Sequence, residues 1–200
     1  MIVSVTASAL PRKGFQEGPF LTLAAGVTQF DWDINQRLRV QEGESFEPTF
    51  GLGFGWNVQD WWAPEMQFRY ATDSNNGRRE HIVAVNTGVV FSWVTEALTD
   101  VGKWHIFPFV RPGIGYQLAT LPGDPLSGVS RLLSHGIGPS IAGGVRFIYK
   151  TYLYLGIQVQ EDFLWHDSHH QVLPGLGNTL IYDGGLGKQF EVFTLVGVHY

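Results

Sequence analysis

The segment from Phe50 to Val58 reads Phe-Gly-Leu-Gly-Phe-Gly-Trp-Asn-Val, and it decides the fold class. Large apolar residues occupy every second position, and glycine or asparagine fills the positions between them. A period of two is that of a β-strand, in which successive side chains point to opposite faces. One face of this strand is therefore bulky and apolar, and the other carries almost no side chain.

The same alternation recurs along the chain and predicts eight strands separated by turns and loops. Pro108 and Pro112 interrupt the fifth segment, and proline inside a strand normally argues against one because it cannot donate a ladder hydrogen bond. The connections alternate between longer and shorter, as in transmembrane barrels with long outer loops and short periplasmic turns. The eight segments lie at about 19–30, 47–58, 61–71, 81–93, 104–118, 136–149, 152–161 and 188–200.

Composition excludes several classes of protein. Charged residues make up 16% of the 200 residues, below the roughly 25% of soluble domains. No run approaches the roughly 18 apolar residues of a transmembrane helix, so a chain that crosses a bilayer must do so as a closed barrel. The net charge of −5 argues against a nucleic-acid partner, and the absence of cysteine excludes disulfides and thiolate metal sites. No cofactor is predicted.

The face opposite the large apolar residues distinguishes a membrane barrel from a soluble one. It is rich in glycine and small residues with a few charges, whereas a solvent-facing surface carries many lysines and glutamates. Tryptophan and tyrosine lie near segment ends, where interfacial girdles place them. The sequence predicts an eight-stranded antiparallel up-and-down transmembrane β-barrel, and a soluble lipocalin-like binder remains the alternative.

The first residues are assigned to a separate segment. Residues 1–17 are a tail or residual signal segment, and residues 18–200 form the barrel domain. The run from Met1 to Ala9 ends in Ala7-Ser8-Ala9, which is typical of a secretory cleavage site, although a basic beginning is missing.

Strands such as PFVRPGIGYQL (108–118) and GPSIAGGVRFIY (138–149), and the final Tyr200 after Val196 and Val198, carry a resemblance. The chain resembles the small eight-stranded outer-membrane barrels, the OmpA/OmpX-like group, although Gly197 lies closer to the end than the glycine of that group's terminal signal. The resemblance implies location in a bacterial outer membrane, contact with its lipid and lipopolysaccharide, and insertion by the barrel-assembly machinery. It implies no single activity, because the group includes anchors, adhesins, small-solute channels and lipid-modifying enzymes.

Five charged residues fall on the inward face and form the main candidate site. A narrow lumen has a low dielectric, in which unpaired charges are expensive, so these side chains are expected to form ion pairs. We predict a buried network that plugs the barrel, and a narrow polar pore is the alternative. The five residues are Glu65, Arg69, Arg111, Arg146 and Glu191.

The longest connection contains Trp165-His166-Asp167-Ser168-His169-His170. Clustered histidines can bind zinc or copper, which makes His166, His169 and His170 weak metal candidates, although no metal site is predicted. Histidine with Ser168 also suggests a lipid A hydrolase, but neighbours on one strand point to opposite faces, whereas a catalytic triad requires convergent side chains. A polar, exposed loop is the favoured interpretation.

The predicted function is therefore non-enzymatic. We expect a structural or surface-interaction role, with an extracellular ligand bound through the connections at 31–45, 120–134 and 162–187. A narrow channel for small solutes is the first alternative, and a lipid A-modifying hydrolase is the second.

Overall fold

The computed structural model describes ten stretches of the chain. The tail assigned to residues 1–17 lies outside them, apart from Glu17. In these stretches no helix is long and apolar enough to cross a membrane. The described residues are 17–32, 46–59, 61–75, 78–93, 104–122, 131–149, 153–167, 169–173, 177–182 and 185–200.

Eight long strands close into one antiparallel barrel, in the order β1-β10-β7-β6-β5-β4-β3-β2. Strand β1 pairs with both β10 and β2, so the sheet has no free edge. The predicted fold class is confirmed. The strands are β1 (Gly18–Trp32), β2 (Glu47–Asn57), β3 (Trp62–Asn75), β4 (Arg78–Ser92), β5 (Trp104–Pro122), β6 (Arg131–Tyr149), β7 (Leu153–His166), β8 (His169–Leu173), β9 (Gly177–Tyr182) and β10 (Leu186–His199).

The register fixes the tilt of the strands. The shear can be read by stepping from each residue to its paired residue on the next strand, once around the barrel. A path that starts at Trp104 on β5 returns to β5 at Ile114, so the shear is ten residues (114 minus 104). Eight strands with this shear tilt by about 40° from the barrel axis, since rise and spacing are about 3.3 and 4.8 Å. The intermediate residues are Tyr149, Leu153, Val198, Leu21, Phe54, Met66 and Thr87.

The strands extend further than predicted. Thr120 to Pro122 pairs with Arg131 to Leu133, and β7 continues to His166, so the connections expected at 120–134 and 162–187 are partly strand. The connection at 162–187 also contains the hairpin of β8 and β9. The alternation of apolar and polar residues predicts a strand only where one face is apolar. It is lost where the strands extend beyond the apolar band, so the predicted strands end too early.

The two prolines of the fifth segment lie inside β5. The β4–β5 ladder pairs Gly88 with Gly113 and Phe91 with Val110, but it is interrupted between these pairs, opposite Pro112. Pro108 accepts a hydrogen bond from the Trp93 amide at 3.0 Å. Each proline therefore removes a donor on the β4 side only, and the β5–β6 ladder remains continuous.

The barrel has an apolar outside and a mostly polar inside. Large apolar side chains project outward with exposures of about 40–60%, whereas the arginines and glutamines of alternate positions are buried. We call the end that carries Gly18 and His199 the turn end, and the opposite end the loop end. Trp56 and Trp93 are exposed near the turn end, and Tyr70, Tyr116 and Trp165 are exposed towards the loop end.

Candidate functional site

Glu65 is the centre of the first group of lumen charges. Its Oε1 accepts from Arg111 Nη1 at 2.5 Å, and its Oε2 accepts from Arg146 Nη2 at 2.6 Å. The three residues come from β3, β5 and β6, and all are buried. One carboxylate therefore joins two guanidinium groups from different strands of the barrel.

Arg69 is the centre of the second group. It pairs with Asp162 and with Glu191, which are on β7 and β10. Asn86 accepts a hydrogen bond from Arg69 and donates to Asp162 Oδ1 at 3.0 Å and to Ser140 Oγ at 2.9 Å. This group therefore ties five strands together across the lumen.

Glutamines connect the two groups. Arg111 Nη2 donates to Gln67 Oε1 at 2.9 Å and to Gln160 Oε1 at 2.6 Å. Gln160 in turn donates to Asp162 Oδ1 at 3.0 Å. Within the described residues, the network contains three arginines and three carboxylates, so its formal charges balance. We call these residues the ionic layer: Glu65, Gln67, Arg69, Asn86, Arg111, Arg146, Gln160, Asp162 and Glu191.

All five charged residues singled out from the sequence lie in this layer, and Asp162 is the one charged member of the layer that was not predicted. Asp162 was predicted to lie in a loop, because it is the first residue of the connection expected at 162–187. In the structure it is the next inward residue of β7 after Gln158 and Gln160. The sequence does contain a pattern that predicts this position, because Asp162 continues the alternation of inward polar residues after Gln158 and Gln160.

Glycines make room for these side chains. A Cβ at Gly51 would lie 3.5 Å from Arg69 Cγ, and one at Gly55 would lie 2.4 Å from Phe20 Cζ. A Cβ at Gly197 would lie 2.2 Å from Tyr154 Cζ. The glycines of the Phe50 to Val58 segment therefore leave space in the lumen, and side chains from other strands occupy it.

The turn-end half of the lumen is aromatic, whereas the sequence predicted an inward face of small residues with a few charges. Arg146 lies over the ring of Phe109, with its Cζ 4.6 Å from the centroid, and 5.3 Å from the centroids of both Phe20 and Tyr154. Thr22 hydrogen-bonds the Tyr154 hydroxyl. We call this the aromatic layer: Phe20, Phe107, Phe109, Ile148, Tyr154, Phe193 and Leu195, all buried.

The histidine candidates are separated by the fold. The prediction of an exposed loop is wrong for His166. This residue is buried at the loop end of the lumen, with Nδ1 3.1 Å from Ser134 Oγ. It points inward because it ends the alternation of β7. Ser168 and the side chains of His169 and His170 lie outside the described residues. Within the described part, no cluster of three potential metal ligands occurs.

Comparisons with solved structures report on the fold. Neisserial surface protein A has a TM-score of 0.62 at 11% identity, over 92% of this chain and 97% of that one. OprG of Pseudomonas aeruginosa gives 0.59 at 12%, over 94% and 98%. Ail, the attachment invasion locus protein of Yersinia pestis, gives 0.50 at 10%, over 92% and 98%. No protein-family model and no curated protein matches the sequence.

These structures are small outer-membrane β-barrels. The expected resemblance is therefore confirmed for the fold: the chain is a closed eight-stranded barrel of the outer-membrane type.

Proposed function

We propose that this chain is an outer-membrane barrel whose lumen is closed and whose role is exerted by its loop-end face. The role is structural or one of surface interaction, and it involves no transfer of solute through the barrel. The filled lumen is the observation that carries the proposal.

The outward face supports location in a membrane. On β10 the outward residues from Phe190 to Val198 are apolar or threonine. The next outward residue towards the loop end is Lys188, which marks the limit of this apolar band. About nine residues at a tilt of about 40° span about 23 Å, close to the apolar band of outer-membrane barrels. Outward aromatic residues near both limits of this band support the same location.

The two layers support a closed lumen. The ionic layer crosses from β3 to β7 and β10 through direct ion pairs, and the aromatic layer lies beneath it on the turn side. An eight-stranded barrel is just wide enough for its side chains to fill. Among the described residues, Arg111 is the largest of the fully buried side chains, and it reaches Glu65 and Gln67 on β3 and Gln160 on β7.

The loop end offers the surface for interaction. Strands β5 and β6 each have 19 residues, about twice the length that a bilayer requires, so their hairpin projects beyond the apolar band. The β8–β9 hairpin adds a second projection after β7. Surface protein A and the attachment protein Ail share this fold, which favours an external role here.

Conductance across planar bilayers tests the closed lumen. We expect wild-type protein to give no stable current steps in symmetric salt. Steps of uniform size from the wild type would instead favour the narrow-channel alternative. A barrel that migrates faster before heating than after heating in gel electrophoresis supplies the control that the inserted protein is folded.

Epitope insertion tests the external face. A tag between β8 and β9, in residues 174–176, is expected to be labelled on intact cells, whereas a tag at residues 150–152 is labelled only after permeabilisation. The reverse pattern would contradict the proposed orientation. A tag that is labelled in neither state, in a folded barrel, would contradict outer-membrane location.

A further inference from the structure

One acidic side chain lies on the outer face of the barrel wall, unlike those of the ionic layer. Glu161 follows Gln160 and precedes Asp162, which both point into the lumen, so its own side chain points outward. It is paired across the ladders with Ile141 on β6 and Phe190 on β10, both exposed apolar residues.

Glu161 also lies below the limit of the apolar band. The limit on β10 is Lys188, which pairs with Phe163, two residues nearer the loop end than Glu161. Two residues correspond to about 7 Å along the strand. No ion pair joins Glu161 to Lys188 among the described residues. An ionisable residue at membrane depth is expensive and indicates a functional partner.

A groove begins beside this carboxylate. It is an open groove with a volume of about 370 Å³. Its floor is Gly143, where an added Cβ would meet only the Phe109 carbonyl oxygen, at 3.6 Å. The groove opens on the outer wall, and its outward lining is Val110, Ile141, Gly143, Val159, Glu161 and Phe190.

We propose that this groove binds an acyl chain that carries a hydroxyl group near its head, as a hydroxyacyl lipid of the membrane does. The apolar lining takes the hydrocarbon, and Glu161 accepts a hydrogen bond from the hydroxyl. The carboxyl oxygens of Glu161 accept hydrogen bonds, so a ligand that carries a donor group fits beside them. A hydroxyl supplies that donor without bringing a further charge to this depth.

This inference depends on the proposed location in a membrane. It does not depend on the closed lumen: Gln160 borders the groove, but its side chain lies in the ionic layer, and the groove opens on the outer face of the wall.

The test compares two probes that differ in one hydroxyl: methyl 3-hydroxytetradecanoate and methyl tetradecanoate. Each is titrated into the full chain folded in detergent micelles, and backbone amide shifts of Gly143 and Glu161 are followed by NMR. We expect wild type to bind the hydroxylated ester roughly tenfold more tightly, as one additional hydrogen bond gives.

Three variants locate the site. Glu161→Leu is expected to bind both esters equally, and Gly143→Leu, which fills the groove, is expected to bind neither. Leu52→Phe adds bulk to the outward face of β2, away from the groove, and should retain the tenfold preference.

The result that overturns the inference is equal affinity of wild type for the two esters, or a preference that survives in Glu161→Leu. Each variant is first shown to fold by its heat-dependent gel migration. If the wild-type chain instead proves to be a monodisperse soluble monomer without detergent, the proposed membrane location fails, and this outcome is distinguishable from failed selectivity.

Discussion

The two layers of the lumen fill the same barrel by different chemistry. In the aromatic layer, Phe20, Phe109 and Phe193 occupy space with side chains that have no polar group to satisfy. In the ionic layer, Glu65 must face Arg111 and Arg146 at the same time. Packing an apolar side chain requires only fitting volume, whereas a buried charge requires a particular partner at a particular place.

The ionic layer is therefore expected to be the less tolerant of the two. Loss of one carboxylate leaves the opposing guanidinium groups buried and unbalanced, and this costs more than the cavity that a smaller apolar residue leaves. Four variants, three single and one double, test this difference, and all are measured by the free energy of unfolding in urea with lipid vesicles.

Glu65→Leu should have the largest effect. It leaves both Arg111 and Arg146 without their carboxylate, so we expect a loss of about 3–5 kcal/mol. Glu17→Gln, at an exposed position outside the strands, is the matched control and should change stability by less than about 0.5 kcal/mol. A loss below about 1 kcal/mol for Glu65→Leu would mean that the ion pairs contribute little.

Phe109→Ala should have the next largest effect. It opens a cavity in the aromatic layer and removes the ring nearest to Arg146, for an expected loss of about 3 kcal/mol. Phe109→Leu keeps most of the volume and should lose about 1 kcal/mol. If the alanine variant loses clearly more than Glu65→Leu, the proposed ranking of the two layers is wrong.

The double variant Glu65→Leu with Arg111→Met sharpens the comparison. It removes a carboxylate and one of its two partners, and Arg146 keeps its contacts with the aromatic rings. We expect it to be about 1–2 kcal/mol more stable than Glu65→Leu alone, because one fewer charge is left unbalanced. Additive losses in the double-mutant cycle would contradict this coupling.

Tyr154→Phe should have the smallest effect. It keeps the ring in the aromatic layer and removes only the hydrogen bond with Thr22, for an expected loss of about 1 kcal/mol. Combining it with Thr22→Val, which removes the other partner, should cost little more. A loss for Tyr154→Phe equal to that for Phe109→Ala would show that the aromatic layer also depends on polar contacts.

The inward and outward residues of a strand follow from the sequence where its two faces differ, and they do not where both faces are alike. Around Phe50 to Val58, apolar and bare positions alternate, and the strand and its orientation follow directly. Phe107 and Phe109 were missed as lumen residues because their outward neighbours, such as Val110, are apolar as well. The β8–β9 hairpin was missed because its segments show no apolar face of this kind.

The candidate site divides in the same way. Alternation alone is enough to assign Glu65, Arg69, Arg111, Arg146 and Glu191 to the inward face. Their partners could not be read from the chain, because Glu65 and Arg146 are 81 residues apart and meet only across the lumen. Whether His166 lies near Ser134 depends equally on how far β6 and β7 extend before they separate.

By itself, the sequence determined that strands form, how many of them close the barrel, and which face of each strand is apolar. These properties are local, since each depends on the period of neighbouring side chains. Only the tertiary structure decided which charges meet, where the lumen turns from ionic to aromatic, and that Glu161 lies beside a groove in the outer wall. These properties depend on the register between strands, and a shear of ten residues is a property of the closed sheet as a whole.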